Sequence, residues 1–113
     1  MKPFHQMFDS GTVPLGTWIM SASHLITEAT GHAGFDWAVL DMEHTPSDLG
    51  TLVHLLQANL GSPMLPIVRV PWNDTVMIKR VLDVGAVPCR KSKSQPSWAC
   101  VTCCWYRRVK PRV

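Results

Sequence analysis

Three titratable side chains follow a short apolar run in this 113-residue chain. Residues 35–40, Phe-Asp-Trp-Ala-Val-Leu, are almost wholly apolar, and Asp41, Glu43 and His44 follow directly. Such a run is typical of a buried strand in a parallel sheet. The carboxyl ends of parallel strands are where α/β proteins carry out chemistry, and titratable groups there can exchange protons with a ligand. A strand followed by a solvated acidic turn is an equally open interpretation.

Two other predicted strands carry a residue that could contact a ligand. Trp18 belongs to the first strand and has the simpler interpretation of a packing residue. Arg69 lies in an otherwise apolar third strand, where its permanently charged guanidinium must find an anion. Asp83, near the end of a predicted helix, is either solvated or a partner of Arg69 or His44. Two further tryptophans are interpreted as packing residues: Trp37 and Trp72.

Strands and helices are predicted to alternate along the first 86 residues. Ser23 is expected to cap the first helix, and Asn73 with Asp74 the third. Pro66 is expected at the first position of the third strand. Alternation of this kind predicts parallel strands joined by right-handed crossovers. The strands are predicted at residues 15–22, 35–40 and 65–70, and the helices at 25–30, 47–60 and from the 73–74 cap to Gly85.

Composition divides the chain into two parts. The 46% hydrophobic content is that of a globular protein, yet the length is too short for a complete barrel enzyme. No apolar run approaches the roughly 20 residues that span a bilayer, and the start lacks a signal-peptide apolar region, so we expect a cytoplasmic protein. Residues 1–86 have four basic and eight acidic side chains, whereas residues 87–113 have seven basic side chains, no acidic one and all four cysteines.

Four motifs, in order and spacing, resemble the HpcH/HpaI family of 4-hydroxy-2-oxo-acid and 2-dehydro-3-deoxyglucarate aldolases. The Asp-x-Glu-His form indicates the aldolase branch of that family rather than the citrate-lyase-like branch. The resemblance covers residues 1–86. Its motifs are Gly-Thr-Trp at 16–18, Gly-Phe-Asp-Trp-Ala-Val-Leu-Asp-Met-Glu-His at 34–44, Pro-Ile-Val-Arg-Val-Pro at 66–71 and Val-Leu-Asp-Val-Gly-Ala at 81–86.

The resemblance implies a fold, a reaction and a cofactor. The fold is an α/β architecture, the first three βα units of a TIM-type (β/α)₈ barrel. The reaction is carbon–carbon lysis of a 4-hydroxy-2-oxo acid to pyruvate and an aldehyde through a metal-bound enolate, as in class II aldolases. The cofactor is a divalent cation, Mg²⁺ or Mn²⁺, acting as a Lewis acid. The partner is a small 2-oxo acid, with no nucleic acid or membrane, and the family tends to form oligomers.

Matching positions imply roles for individual residues. His44 would be the acid/base group, acting with or through water, and Asp41 its orienting partner. Arg69 would bind the substrate and stabilise the enolate oxygen. Trp18 would contact the substrate, and Asp83 matches a further acidic position near the site. Glu43 belongs to the motif but receives no role.

The sequence departs from the family pattern after Ala86. The family's metal ligands, a Glu and an Asp on later strands, have no counterpart here. We therefore expect little or no aldolase activity from the chain alone, and we retain the alternative of a non-catalytic remnant or accessory fragment. Open parallel edges are expected on a three-stranded sheet.

Residues 87–113 form a basic, Cys-containing tail unrelated to residues 1–86, which we interpret as disordered or as translation in a shifted reading frame. Two functional alternatives remain. A zinc site at Cys89, Cys100, Cys103 and Cys104 is disfavoured because the first pair lacks Cys-x₂₋₄-Cys spacing. Contact of the basic residues with nucleic acid is no better supported.

Overall fold

Three strands and three helices alternate along the part of the chain that this computed structural model describes, which is Met7, residues 11–72 and residues 74–86. The strands pair in parallel in the order β1-β2-β3. This confirms the prediction of three consecutive βα units. The predictions for residues 87–113 and for Asn73 lie outside the described residues. The elements are β1 (Gly16–Ile19), α1 (His24–His32), β2 (Trp37–Asp41), α2 (Leu49–Asn59), β3 (Leu65–Arg69) and α3 (Thr75–Asp83).

Each helix begins at a side chain that caps its first turn. Ser23, Asp48 and Asp74 accept hydrogen bonds from the backbone N–H groups three residues ahead, at 3.4, 2.7 and 2.8 Å. The caps predicted at Ser23 and Asp74 are therefore confirmed. Helix α2 starts two residues later than predicted, at Leu49, because Asp48 provides the cap. A cap of this type contributes about 1 kcal/mol to stability.

The central strand β2 is buried on both faces. Alternate residues of a strand point to opposite sides, and here Ala38 and Leu40 join the cluster that includes Leu52 of α2 and Val81 of α3. Val39 lies on the other face with Ile67 and Trp37. The nearly continuous apolar run at residues 35–40 thus corresponds to a strand enclosed on two sides, as the sequence predicted.

Two packing predictions have opposite outcomes. Trp37 is confirmed as a packing residue, because its ring occupies the space that a Cβ at its register partner Gly16 would need. Trp72 is 75% exposed, so the prediction that it is a packing residue is wrong. Pro66 is the second residue of β3 rather than the first. Among the described strands β3 is an edge, where a missing N–H need not interrupt the pairing.

None of the helices in the described ranges combines the length and apolar character needed to cross a membrane.

Candidate active site

Trp18, Asp41 and Arg69 come from three adjacent strands. Asp41 and Arg69 are register partners, and Trp18 pairs with Val39, two residues before Asp41. Because side chains alternate along a strand, Trp18, Val39 and Asp41 share the sheet face opposite to the cluster with α2 and α3. The structure therefore brings together three of the residues that the sequence singled out.

The carboxylate of Asp41 is the buried centre of this group. Only 1% of the residue is exposed. Its Oδ2 accepts hydrogen bonds from Nε1 of Trp18 (3.0 Å) and Nη1 of Arg69 (3.3 Å). Its Oδ1 accepts from the backbone N–H groups of Glu43 (2.8 Å) and His44 (3.2 Å). Four donors therefore fix this carboxylate in one orientation.

These donors also set the charge of Asp41. Burial raises the pKa of the carboxyl, but the hydrogen bonds from the Trp18 indole and the Glu43 and His44 backbone, together with the charge of Arg69, outweigh burial and lower the pKa below its ordinary value of 3.8. The group is consequently ionised at neutral pH. An ionised carboxylate at this position keeps the nearby guanidinium neutralised and in place.

Arg69 contacts two carboxylates and one aromatic ring. Nη1 pairs with Asp41 and Nη2 with Glu43, and the guanidinium carbon lies 5.6 Å from the centre of the Trp18 ring, within cation–π range. The side chain is 18% exposed. The requirement inferred from sequence, that this arginine find an anion, is met twice within the described residues.

His44 extends outward from this buried group. Its side chain is 60% exposed, and Nε2 lies 3.5 Å from Oε1 of Glu43. Asp41 contacts the backbone N–H of His44 rather than its imidazole. The orienting role expected for Asp41 stays a prediction. Thr45 reinforces the turn by donating to the backbone carbonyl of Asp41.

Glu43 belongs to the sequence motif, but its role was missed by sequence reasoning. One of its oxygens faces His44 and the other faces Arg69, so it links the side chains assigned to proton transfer and to anion binding. The available signal was a carboxylate directly before a histidine, one strand away from a lone arginine. Identifying the link required the register of β2 against β3, which pairs Asp41 with Arg69.

Asp83 lies apart from this cluster. It is exposed at the end of α3, and within the described ranges it forms no ion pair with Arg69 or His44. Of the two sequence interpretations, solvation is the one that matches this placement. A catalytic role for Asp83 stays a prediction.

The carboxylates of the site are not arranged for a metal ion. Asp41 accepts bonds from four donors, and Glu43 pairs with two nitrogen-bearing side chains. No group of three or more His, Cys, Asp or Glu side chains in the described part of the chain could hold a metal. These residues therefore do not fit the divalent cation that the resemblance implies.

Comparison with known proteins identifies the family to which this chain is similar. The family model described as HpcH/HpaI aldolase/citrate lyase matches residues 15–90. The chain is 51% identical over 80 residues to a 2-dehydro-3,6-dideoxy-6-sulfogluconate aldolase from Pseudomonas putida, which is 71% of this chain and 31% of the relative. It is 53% identical over 73 residues to a 5-keto-4-deoxy-D-glucarate aldolase from Salmonella paratyphi A, which is 65% of this chain and 28% of the relative.

Solved structures extend the comparison to the fold. An HpcH/HpaI aldolase/citrate lyase family protein from Burkholderia cenocepacia J2315 superposes with a TM-score of 0.65 at 38% identity, over 74% of this chain and 35% of that one. The citrate synthase SbnG superposes with a TM-score of 0.68 at 30% identity, over 77% and 38%. The chain spans less than a third of the length of the two aldolases above. It belongs to the HpcH/HpaI aldolase/citrate lyase family.

Proposed function

We propose that this chain carries the proton-transfer and oxyanion-binding corner of a carbon–carbon lyase site that cleaves a 4-hydroxy-2-oxo acid to pyruvate and an aldehyde. The names of the aldolases to which it is similar support the reaction class. The observation that carries the proposal is the series of side-chain contacts from His44 through Glu43 to Arg69, built around the buried Asp41. It joins a solvent-accessible imidazole to a fixed guanidinium.

The reaction needs one proton acceptor and one stabiliser of negative charge. Removal of the proton from the C4 hydroxyl breaks the C3–C4 bond and releases the aldehyde, and the electron pair of that bond forms the enolate of pyruvate. Protonation at C3 then gives pyruvate. His44, exposed at the turn after β2, would accept and return the proton directly or through water. Arg69 would donate N–H groups to the enolate oxygen.

Trp18 and Asp41 would support Arg69 in this role. Asp41 pairs with Nη1 of Arg69, and the Trp18 ring lies next to the guanidinium. A guanidinium positioned before the substrate arrives loses less freedom when the oxyanion forms. Trp18 is also partly exposed, which is compatible with contact to the substrate.

No step of this scheme runs through Mg²⁺ or Mn²⁺, because the described residues do not fit such an ion. A Lewis acid contributes several kcal/mol to the stabilisation of charge in reactions of this kind. We therefore expect turnover by this chain alone to be slow.

The second candidate is a non-catalytic fragment. Two observations favour it: the chain spans 28–31% of the aldolases it matches, and the described residues offer no metal site. Such a fragment would keep the anion-binding geometry of Arg69 without completing the reaction.

An aldol-addition assay separates these candidates. The purified full chain is incubated with pyruvate, an aldehyde acceptor and Mg²⁺ or Mn²⁺, and the adduct is quantified by chromatography. Aldolase function predicts a slow formation of adduct that His44→Ala reduces by about 100-fold or more. The matched control is His54→Ala, which removes an exposed imidazole from α2 and should leave the rate unchanged. Absence of adduct in the wild-type chain favours the non-catalytic fragment.

A further inference from the structure

The two carboxylates that share Arg69 are held in different ways. The Asp41 side chain is fully buried and is fixed by two backbone N–H groups and the Trp18 indole in addition to Arg69. The Glu43 side chain is 26% exposed, and among the described residues it pairs with Arg69 and contacts the His44 imidazole. Only one of these carboxylates can therefore move without leaving a buried charge unpaired.

An anionic ligand that approaches Arg69 must compete with one of them. Displacing Asp41 would leave an ionised carboxylate and several donors buried without partners, which is strongly unfavourable. Displacing Glu43 costs little, because a partly exposed ion pair contributes weakly and the released carboxylate can be hydrated. The ligand would thus replace Glu43 at Nη2, while Asp41 stays at Nη1.

We propose that Glu43 is a displaceable positioning residue, which holds Nη2 of Arg69 in the absence of ligand and yields it to the oxygens of an incoming 2-oxo acid. This inference rests on the proposed function for the identity of the ligand. With Glu43 in place, Arg69 is already over-neutralised by two carboxylates, so a simple monocarboxylate gains little by entering. The carboxylates of acetate and pyruvate can both accept two parallel N–H bonds. A 2-oxo acid has in addition an oxo oxygen, which can accept a further N–H bond from the guanidinium, so it competes better with Glu43.

Binding of pyruvate and of acetate to the full chain tests this inference. Nuclear magnetic resonance titration of the ¹³C- and ¹⁵N-labelled chain measures Kd for both anions in the wild type, in Glu43→Gln and in Glu28→Gln. Glu28 is an exposed residue of α1, so its change to Gln alters the net charge equally without touching the site. We expect Glu43→Gln to bind both anions about two- to fivefold more tightly and Glu28→Gln to match the wild type.

A second measurement needs no variant. The side-chain carboxyl ¹³C signal of Glu43 should shift saturably as pyruvate is added to the wild-type chain, and the corresponding signal of Asp41 should stay in place. A residue that merely stabilises the fold would give weaker binding on substitution and no such difference between the two carboxyls. This readout remains usable if Glu43→Gln folds poorly.

The possible outcomes separate the inference from the proposed function. If Glu43→Gln binds both anions no more tightly than the wild type, while the wild type still prefers pyruvate to acetate, the role of Glu43 is overturned and the 2-oxo-acid site survives. If Glu43→Gln binds both anions more tightly but neither chain prefers pyruvate, Glu43 is displaceable and the 2-oxo-acid site fails. Absence of binding by either anion to either chain overturns both.

Discussion

The cluster of Trp18, Asp41, Glu43, His44 and Arg69 has a buried half and an open half, and both halves contact the guanidinium of Arg69. In the buried half, Asp41 is enclosed and accepts bonds from four donors, including Trp18 and Arg69. In the open half, Glu43 and His44 are partly solvated, and Glu43 pairs with Arg69 and lies within 3.5 Å of the His44 imidazole. The difference indicates that the two halves have different roles. Full burial and complete hydrogen bonding suit a residue that holds Arg69 in place. Exposure suits groups that must contact a ligand or exchange a proton.

The largest expected effect comes from breaking the buried half. Asp41→Ala would leave Nη1 of Arg69, the Trp18 N–H and two backbone N–H groups without the acceptor that Asp41 provides. We expect the free energy of unfolding to fall by about 3–5 kcal/mol, measured by urea denaturation followed by circular dichroism.

The open half provides the contrast for that measurement. Glu43→Ala removes only partly exposed ion pairs and should lower the free energy of unfolding by about 1 kcal/mol or less. Equal decreases in the free energy of unfolding for Asp41→Ala and Glu43→Ala would mean that the two halves stabilise the fold equally.

A smaller change in stability is expected when Asp41 is protonated at low pH. The folded-state pKa of Asp41 lies below its ordinary value of 3.8, so the stability that this group contributes is complete above that value. It is lost as the pH falls through the lower, folded-state pKa, because protonation then removes the charge that the native donors stabilise. We expect the urea midpoint of the wild-type chain to fall on acidification below pH 3.8.

The control for the pH measurement is a pair of isosteric changes. Asp41→Asn should show a shallower loss of stability on acidification than the wild type, whereas Glu28→Gln, on the exposed surface of α1, should follow the wild-type curve. Parallel curves for the wild type and Asp41→Asn would contradict the assignment of the lowered pKa to this site.

Local sequence patterns were sufficient for much of the fold. The apolar runs gave the three strands, and Ser23 and Asp74 marked two helix starts because a capping side chain acts on its own first turn. The placement of Arg69 in an apolar strand predicted an anionic partner for a similar reason: its charge is permanent. These inferences depend on the residue and its near neighbours along the chain.

Tertiary contacts explain where the sequence predictions failed. The first helix was predicted to end at residue 30, yet it continues through Gly31 to His32, and a Cβ at Gly31 would lie 2.6 Å from Ser62. The close approach of Ser62 leaves no room for a side chain at this position, and this tertiary contact outweighs the helix-breaking tendency of glycine. The first strand was predicted to reach Ala22, but that residue has a positive φ of 54° and belongs to the turn before α1. The link through Glu43 likewise depends on strand register.

The central claim is that the open half of the cluster receives a 2-oxo acid at Arg69, and the most direct test is the Kd for pyruvate of the wild type and of Arg69→Met. Arg80→Met is the matched control, because Arg80 is an exposed arginine of α3. Saturable binding that is lost in Arg69→Met and retained in Arg80→Met is the predicted result. Equal binding by the wild type and Arg69→Met would contradict the account.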